Sequence, residues 1–148
     1  MPFHFPLETV FHLRQSLEHQ QELRLRAANQ QVSKLRHLVE QVEVQIRQSQ
    51  LQSFDELHAG TTAAEVQFTQ AKQSLLRKTH SDLERELVRL KNLRDQQQRI
   101  YQQARRERET FESLRSQQLR EYERDQRRRE QRRLDDLFLL RQAFQRRG

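Results

Sequence analysis

Between Leu7 and Gln145 the chain contains no proline and a single glycine, Gly60, which separates two stretches of heptad spacing. Proline ends helices because it lacks an N–H and clashes with the preceding turn, and glycine weakens them through backbone entropy. With both prolines (Pro2, Pro6) at its start and one internal glycine, the chain encodes helix, turn, helix. Hydrophobic residues make up only 33% of it, too few for a globular core of ordinary size. The predicted architecture is all-α: a long antiparallel two-helix coiled coil, a hairpin, with a C-terminal helical overhang. The whole chain reads as one coiled-coil domain, with helix one over about 6–58, the turn over about 59–62 and helix two over about 63–145.

The register is legible in the apolar residues. Pro6 suits a first helical turn, with Glu8 placed where the helix dipole favours an acid. Val10, Leu13 and Leu17 follow, and a four-residue step through Gln21 to Leu25 resembles a stutter. From Leu25 the steps alternate three and four through Ala28, Val32, Leu35, Val39, Val42 and Ile46, the spacing of a coiled-coil seam. Gly60 fits the left-handed position after a helix C-terminus. Thr62 and Glu65 fit a capping box that opens helix two; the same spacing at Ser81 and Glu84 lies inside a heptad run and carries no weight alone. Helix two repeats Leu76, Leu83, Leu90, Gln97, Ala104 and Phe111 at one heptad position, flanked by Phe68, Leu75, Leu87, Leu93, Ile100 and Leu114.

Folding the helices about Gly60 pairs residue i with roughly 121 − i, so that Ile46 meets Leu75, Leu35 meets Leu87, Ala28 meets Leu93 and Val10 meets Phe111. Helix one then runs out near Leu7, opposite Leu114. Helix two continues past it for about 30 residues, or about 45 Å at 1.5 Å per residue. This overhang holds a stretch without any apolar residue, Glu123 to Arg133, and then a concentrated apolar patch from Leu134 to Phe144.

Charge is distributed unevenly. The formal net charge is +7, and from Arg105 onward 14 arginines stand against 9 acids, leaving only a small excess for the rest. One third of the residues are charged, a composition of long helices and coiled coils; it also resembles disorder, against which the heptads argue. Cysteine is absent, which excludes disulfides and thiolate chemistry. The longest apolar run, Leu137 to Leu140, is far short of the ~20 residues of a membrane span. The N-terminus lacks the basic and apolar regions of a signal peptide, so a cytoplasmic placement is expected.

No catalytic constellation is present. Two glycines cannot build a phosphate loop, and no GxSxG or dinucleotide fingerprint occurs. Acids such as Glu107 and Glu112 stand at helical spacing from arginines, as partners on a solvated face. The six histidines (His4, His12, His19, His37, His58, His80) form no HExxH or histidine i, i+4 pair, so a metal site could arise only by assembly across the hairpin, and none is expected. The chain reads as a non-enzyme without a cofactor. The arginines from Arg127 to Arg133 could track phosphates. They are diluted by Glu121, Glu123, Asp125 and Glu130 and lack interleaved aromatics for base stacking, so a solvated helix face is the plainer reading and no nucleic-acid partner is expected. The Leu134 to Phe144 patch has no intramolecular surface to cover it and reads as a partner-binding face.

The run Phe3-His-Phe-Pro-Leu-Glu-Thr-Val-Phe-His-Leu-Arg14 resembles the opening of the FliJ family, small components of the flagellar type III export apparatus. The chain length, the break near position 60, the Gln- and Arg-rich heptads and the basic C-terminus are similar to that family too. The resemblance implies a coiled coil like the central stalk subunit of rotary ATPases, a monomer when free. Its partners would be the hexameric export ATPase (FliI-like), the export gate protein (FlhA-like) and export chaperones, with peripheral association at the inner membrane through those partners. ATPase binding would fall on Leu137, Phe138, Leu140 and Phe144 with Arg128, Arg129, Arg132 and Arg133. Contact with the export gate would fall on Leu38, Val42, Phe68 and Leu75. The competing readings are a coiled-coil scaffold or spacer, which would self-associate through the same seam, and a basic nucleic-acid-associated helical protein.

Overall fold

The computed structural model describes residues 2–147; Met1 and Gly148, the limits of the expected domain, lie outside them. Two helices, α1 (Glu8–Ala59) and α2 (Ala63–Arg147), account for nearly all of these residues and pack against each other, without a strand among the described residues. Helix α1 begins two residues after Pro6. Pro6 and Leu7 form a turn in which Phe5 O accepts the Glu8 N–H at 3.1 Å, and Leu7 O accepts the Phe11 N–H at 2.8 Å as the first helical bond.

The reversal follows the local chemistry read from the sequence. Gly60 has φ 87°, a left-handed conformation that costs glycine nothing and an L-residue about 1–2 kcal/mol. The Thr62 hydroxyl accepts the Glu65 N–H at 3.3 Å, and Thr62 O accepts the Val66 N–H at 3.1 Å. One of the orphan donors at the start of α2 is thereby capped by a side chain.

Contacts divide the chain into two compact units. In the unit Gln20–Gln102, α1 and α2 run antiparallel on either side of the turn, and its core consists of Val32, Leu35 and Val39. The protected positions of α1 include Gln21, Leu25, Ala28, Val32, Leu35, Val39, Val42, Ile46, Ser49, Ser53 and Glu56, an unbroken 3-4 rhythm, with Glu22 and Glu43 half-buried beside it. Those of α2 include Leu76, Leu83, Leu90 and Gln97, as their heptad position requires, alternating with Gln73, His80, Leu87, Arg94 and Tyr101. The flanking set expected from apolarity is therefore corrected: of its members in this unit only Leu87 belongs to the seam. Phe68 (73% exposed), Leu75 (65%), Leu93 and Ile100 lie on the solvent side. A two-helix seam is one side chain wide, and the long stems of Gln, Arg and His can line it while their polar heads reach water. Gln97 closes one polar layer by donating to Gln21 Oε1 at 2.7 Å.

The second unit joins the described residues of the Met1–His19 and Gln103–Gly148 segments. Here Phe5 and Phe11 are the buried residues, and Phe5, at 2% exposure, is among the best-protected side chains of the chain. Phe11, Arg14 and Glu18 extend the 3-4 rhythm into Gln21, so the apparent stutter is a correction as well: charged residues occupy seam positions, while Leu13 stands exposed. Leu114, the last of the expected flanking set, is also exposed. The register itself holds in both units. Ser49 with Gln73, Glu43 with His80, Arg14 with Glu107 and Glu8 with Arg115 all lie within two residues of 121 − i.

Candidate functional site

Where the helix loses its cover decides which surface is free. The segment preceding α1 is not helical, yet it continues to pack on α2: the rings of Phe3 and Tyr122 stand 5.6 Å apart. Partial protection on α2 extends through Gln118, Leu119 and Tyr122 to Gln126, and every residue from Arg127 to Arg147 is exposed. The uncovered segment therefore starts about ten residues later than the run-out of α1 at Leu7 implies, because extended chain spans more length per residue than helix does.

This segment carries two chemistries. At 100° per residue, Leu134, Leu137, Phe138, Leu140 and Phe144 fall on one arc of about 160°, which also takes in Arg133 and Arg141, while Arg128, Arg129, Arg132 and the exposed Leu139 fall on the remainder. All five apolar side chains are more than half exposed, Phe144 to 84%. An amphipathic helix with a fully solvated apolar face meets the pattern of a helix that completes its burial against a partner. Arginines on the remaining surface add a long-range positive field.

A second apolar surface surrounds the turn. Leu51, Phe54, Leu57 and Phe68 are exposed there, with the His58 ring packed 4.3 Å from that of Phe54. Phe68 borders a shallow hollow with Glu56, Ala64, Glu65 and Thr69. Farther along the same unit Leu38 and Leu75 are exposed, whereas Val42 is half-buried on the seam side of α1.

Between α1 and α2 the second unit is held by ion pairs that apolar periodicity could not reveal. Arg14 Nη1 donates to Glu107 Oε2 at 2.5 Å with its guanidinium 5.9 Å from the centre of the Phe111 ring, and Arg115 Nε donates to Glu8 Oε2 at 3.0 Å. Arg108 donates to Glu18 at 2.7 and 3.4 Å and also pairs with Glu112. The hydrogen bond to Glu18 raises the Arg108 pKa above its ordinary value despite partial burial, with the charges of Glu18, Glu112 and Glu109 adding to it. The only signal in the sequence was the spacing of Arg14, Glu18, Arg108 and Arg115, which fall on seam positions once the heptads are extended through them, with Glu8, Glu107 and Glu112 beside these.

Two long helices packed against each other, with no strand among the described residues, define an all-α coiled-coil class of protein. Among the described residues, no helix is long and apolar enough to cross a membrane. The sequence model of the family described as Flagellar FliJ protein matches residues 3–148, essentially the whole chain. The chain belongs to the FliJ family, which places it among the components of the flagellar protein export apparatus. Neither the curated proteins nor the solved structures offer a match.

Proposed function

We propose that the chain is a stalk-like, non-catalytic coiled coil of the export apparatus that binds the hexameric export ATPase (FliI-like) through its uncovered C-terminal helix. It acts from the cytoplasm, is peripheral at the inner membrane through its partners, and is a monomer when free. The observation that carries this reading is the solvated segment Arg127 to Arg147, whose apolar arc has no cover among the described residues. Leu137, Phe138, Leu140 and Phe144 serve as anchors. Arg128, Arg129, Arg132 and Arg133 draw the helix toward an acidic surface of the ring.

The export gate (FlhA-like) takes Phe68 beside the turn, Leu75 farther along α2, and Leu38 and the half-buried Val42 on α1 as its contacts. Export chaperones are further partners, and no nucleic acid is required. The deciding experiment compares stimulation of the ATPase by the full chain and by a chain ending at Gln126. Equal stimulation by both would remove the C-terminal helix from the ring-binding role.

A further inference from the structure

We infer that Glu43, His80 and Glu84 form a binding site for a divalent transition-metal ion of the zinc class, clamped between the two helices of the Gln20–Gln102 unit. His80 and Glu84 stand four residues apart on α2 and so share one face, and the seam brings Glu43 to them from α1. His80 Nε2 lies 3.1 Å from Glu43 Oε1 and 3.5 Å from Glu84 Oε1, and all three donor atoms fall within 4.8 Å of one another. Ligands bound at about 2.0–2.2 Å around a tetrahedral ion are separated by roughly 3.3–3.6 Å, so small side-chain rotations convert this cluster into three legs of a coordination shell.

Charge separates this cluster from an ordinary interhelical ion pair. Glu8, Glu18 and Glu107 each meet an arginine across the seam. Among the described residues, Glu43 and Glu84 meet neither lysine nor arginine within ion-pair distance; the side chain they share is His80. A neutral imidazole has a single N–H, and one well-aligned hydrogen bond from it satisfies only one of the two carboxylates. Two carboxylates with a neutral imidazole balance a divalent cation. The mixed nitrogen and oxygen set favours ions such as Zn²⁺ over Mg²⁺ or Ca²⁺, which prefer oxygen alone.

Burial is graded as such a site needs. The His80 side chain is 24% exposed and held in the seam, while those of Glu43 and Glu84 are 46% and 57% exposed and leave an open side where water completes the coordination. The histidine-carboxylate pair of His12 with Glu8 is by contrast an exposed i, i+4 pair whose acid already serves Arg115. Because its ligands come from both helices, the Glu43 cluster binds the folded hairpin and not the unfolded chain. The ion therefore stabilises the fold by mass action.

The test titrates the full-length, metal-free chain with Zn²⁺ by calorimetry and follows thermal unfolding by circular dichroism, with Co²⁺ as the spectroscopic probe. One equivalent should bind, raise the unfolding midpoint, and give Co²⁺ absorption of four- or five-coordinate intensity. His80→Gln should abolish the shift. Glu84→Gln, at an exposed position that keeps the hairpin folded, should weaken binding at least as much as the roughly 10–100-fold loss seen for supporting residues of metal sites. His12→Gln and His37→Gln should bind as the parent does. Equal affinity in the His80→Gln and parent chains, full affinity in Glu84→Gln, or no shift of the midpoint at about 100 μM Zn²⁺ would each overturn the assignment.

Discussion

Arg108 on α2 holds Glu18 on α1 through two hydrogen bonds, Nε to Oε2 at 2.7 Å and Nη2 to Oε1 at 3.4 Å, with both side chains about four-fifths covered. They occupy seam positions where a coiled coil ordinarily places leucine. The unit formed by the chain's start and the Gln103 segment is thus held partly by charge, and the Gln20–Gln102 unit mainly by apolar packing.

Removing one partner from this pair leaves the other covered and unmatched. Arg108→Met should destabilise the fold by about 1–3 kcal/mol, and adding Glu18→Leu should recover most of that loss. Urea unfolding of the two single variants and the double variant measures the coupling. Losses that simply add would show that the two residues do not act as a pair. High salt should narrow the difference between parent and variant.

Seam and outer stripe make opposite predictions for similar residues. Leu35 is buried, so Leu35→Ala should cost about 2–4 kcal/mol by transfer and cavity terms. Leu75, which apolar pattern alone assigns to the seam, is 65% exposed, and Leu75→Ala should stay within about 0.5 kcal/mol of the parent. Thermal melts of the two variants separate the assignments.

Gly60 sits at φ 87°, and a Cβ built there meets nothing within 4 Å. The penalty for substitution is therefore conformational and not steric crowding. Gly60→Ala should cost about 1–2 kcal/mol and Gly60→Val more, with Gly60→Asn cheaper than both because asparagine tolerates the left-handed region. The ranking Asn, Ala, Val in melting temperature is the outcome to check.

Two truncations distinguish cover from overhang. A chain ending at Gln126 keeps Tyr122 against Phe3 and should unfold like the parent, while one ending at Ser116 removes that contact and should be less stable. If the uncovered helix binds the export ATPase, the Gln126 chain should lose that binding although its fold is intact.

Within the overhang, anchors and charges should differ in kinetics. Phe138→Ala with Phe144→Ala should speed dissociation from the ATPase. Glutamine at Arg128, Arg129, Arg132 and Arg133 should slow association, most strongly at low salt. Surface plasmon resonance at two ionic strengths resolves the two effects; a change confined to one rate constant in both variants would contradict this division of roles.

The two helices, the turn at Gly60, the Thr62 cap and the 121 − i register are local or nearly local properties, and the amino-acid sequence by itself determined them. Helical hydrogen bonds join residues four apart, a left-handed turn needs glycine, and a heptad run such as Leu76, Leu83, Leu90 marks a facing stripe wherever it occurs. The tertiary structure decided what shares that stripe. Apolarity pointed to Phe68, Leu75, Leu93 and Ile100, yet Gln73, His80, Arg94, Tyr101 and Arg108 line the second seam position. Each has a long stem that can lie in the seam while its head finds a partner or water. Whether a charge lies inside thus depends on residues 37 to 107 positions away: Glu8 for Arg115, Glu18 for Arg108 and Glu43 for His80. Such pairings exist only once the hairpin closes, and the end of cover at Gln126, just beyond the contact of Phe3 with Tyr122, is decided in the same way.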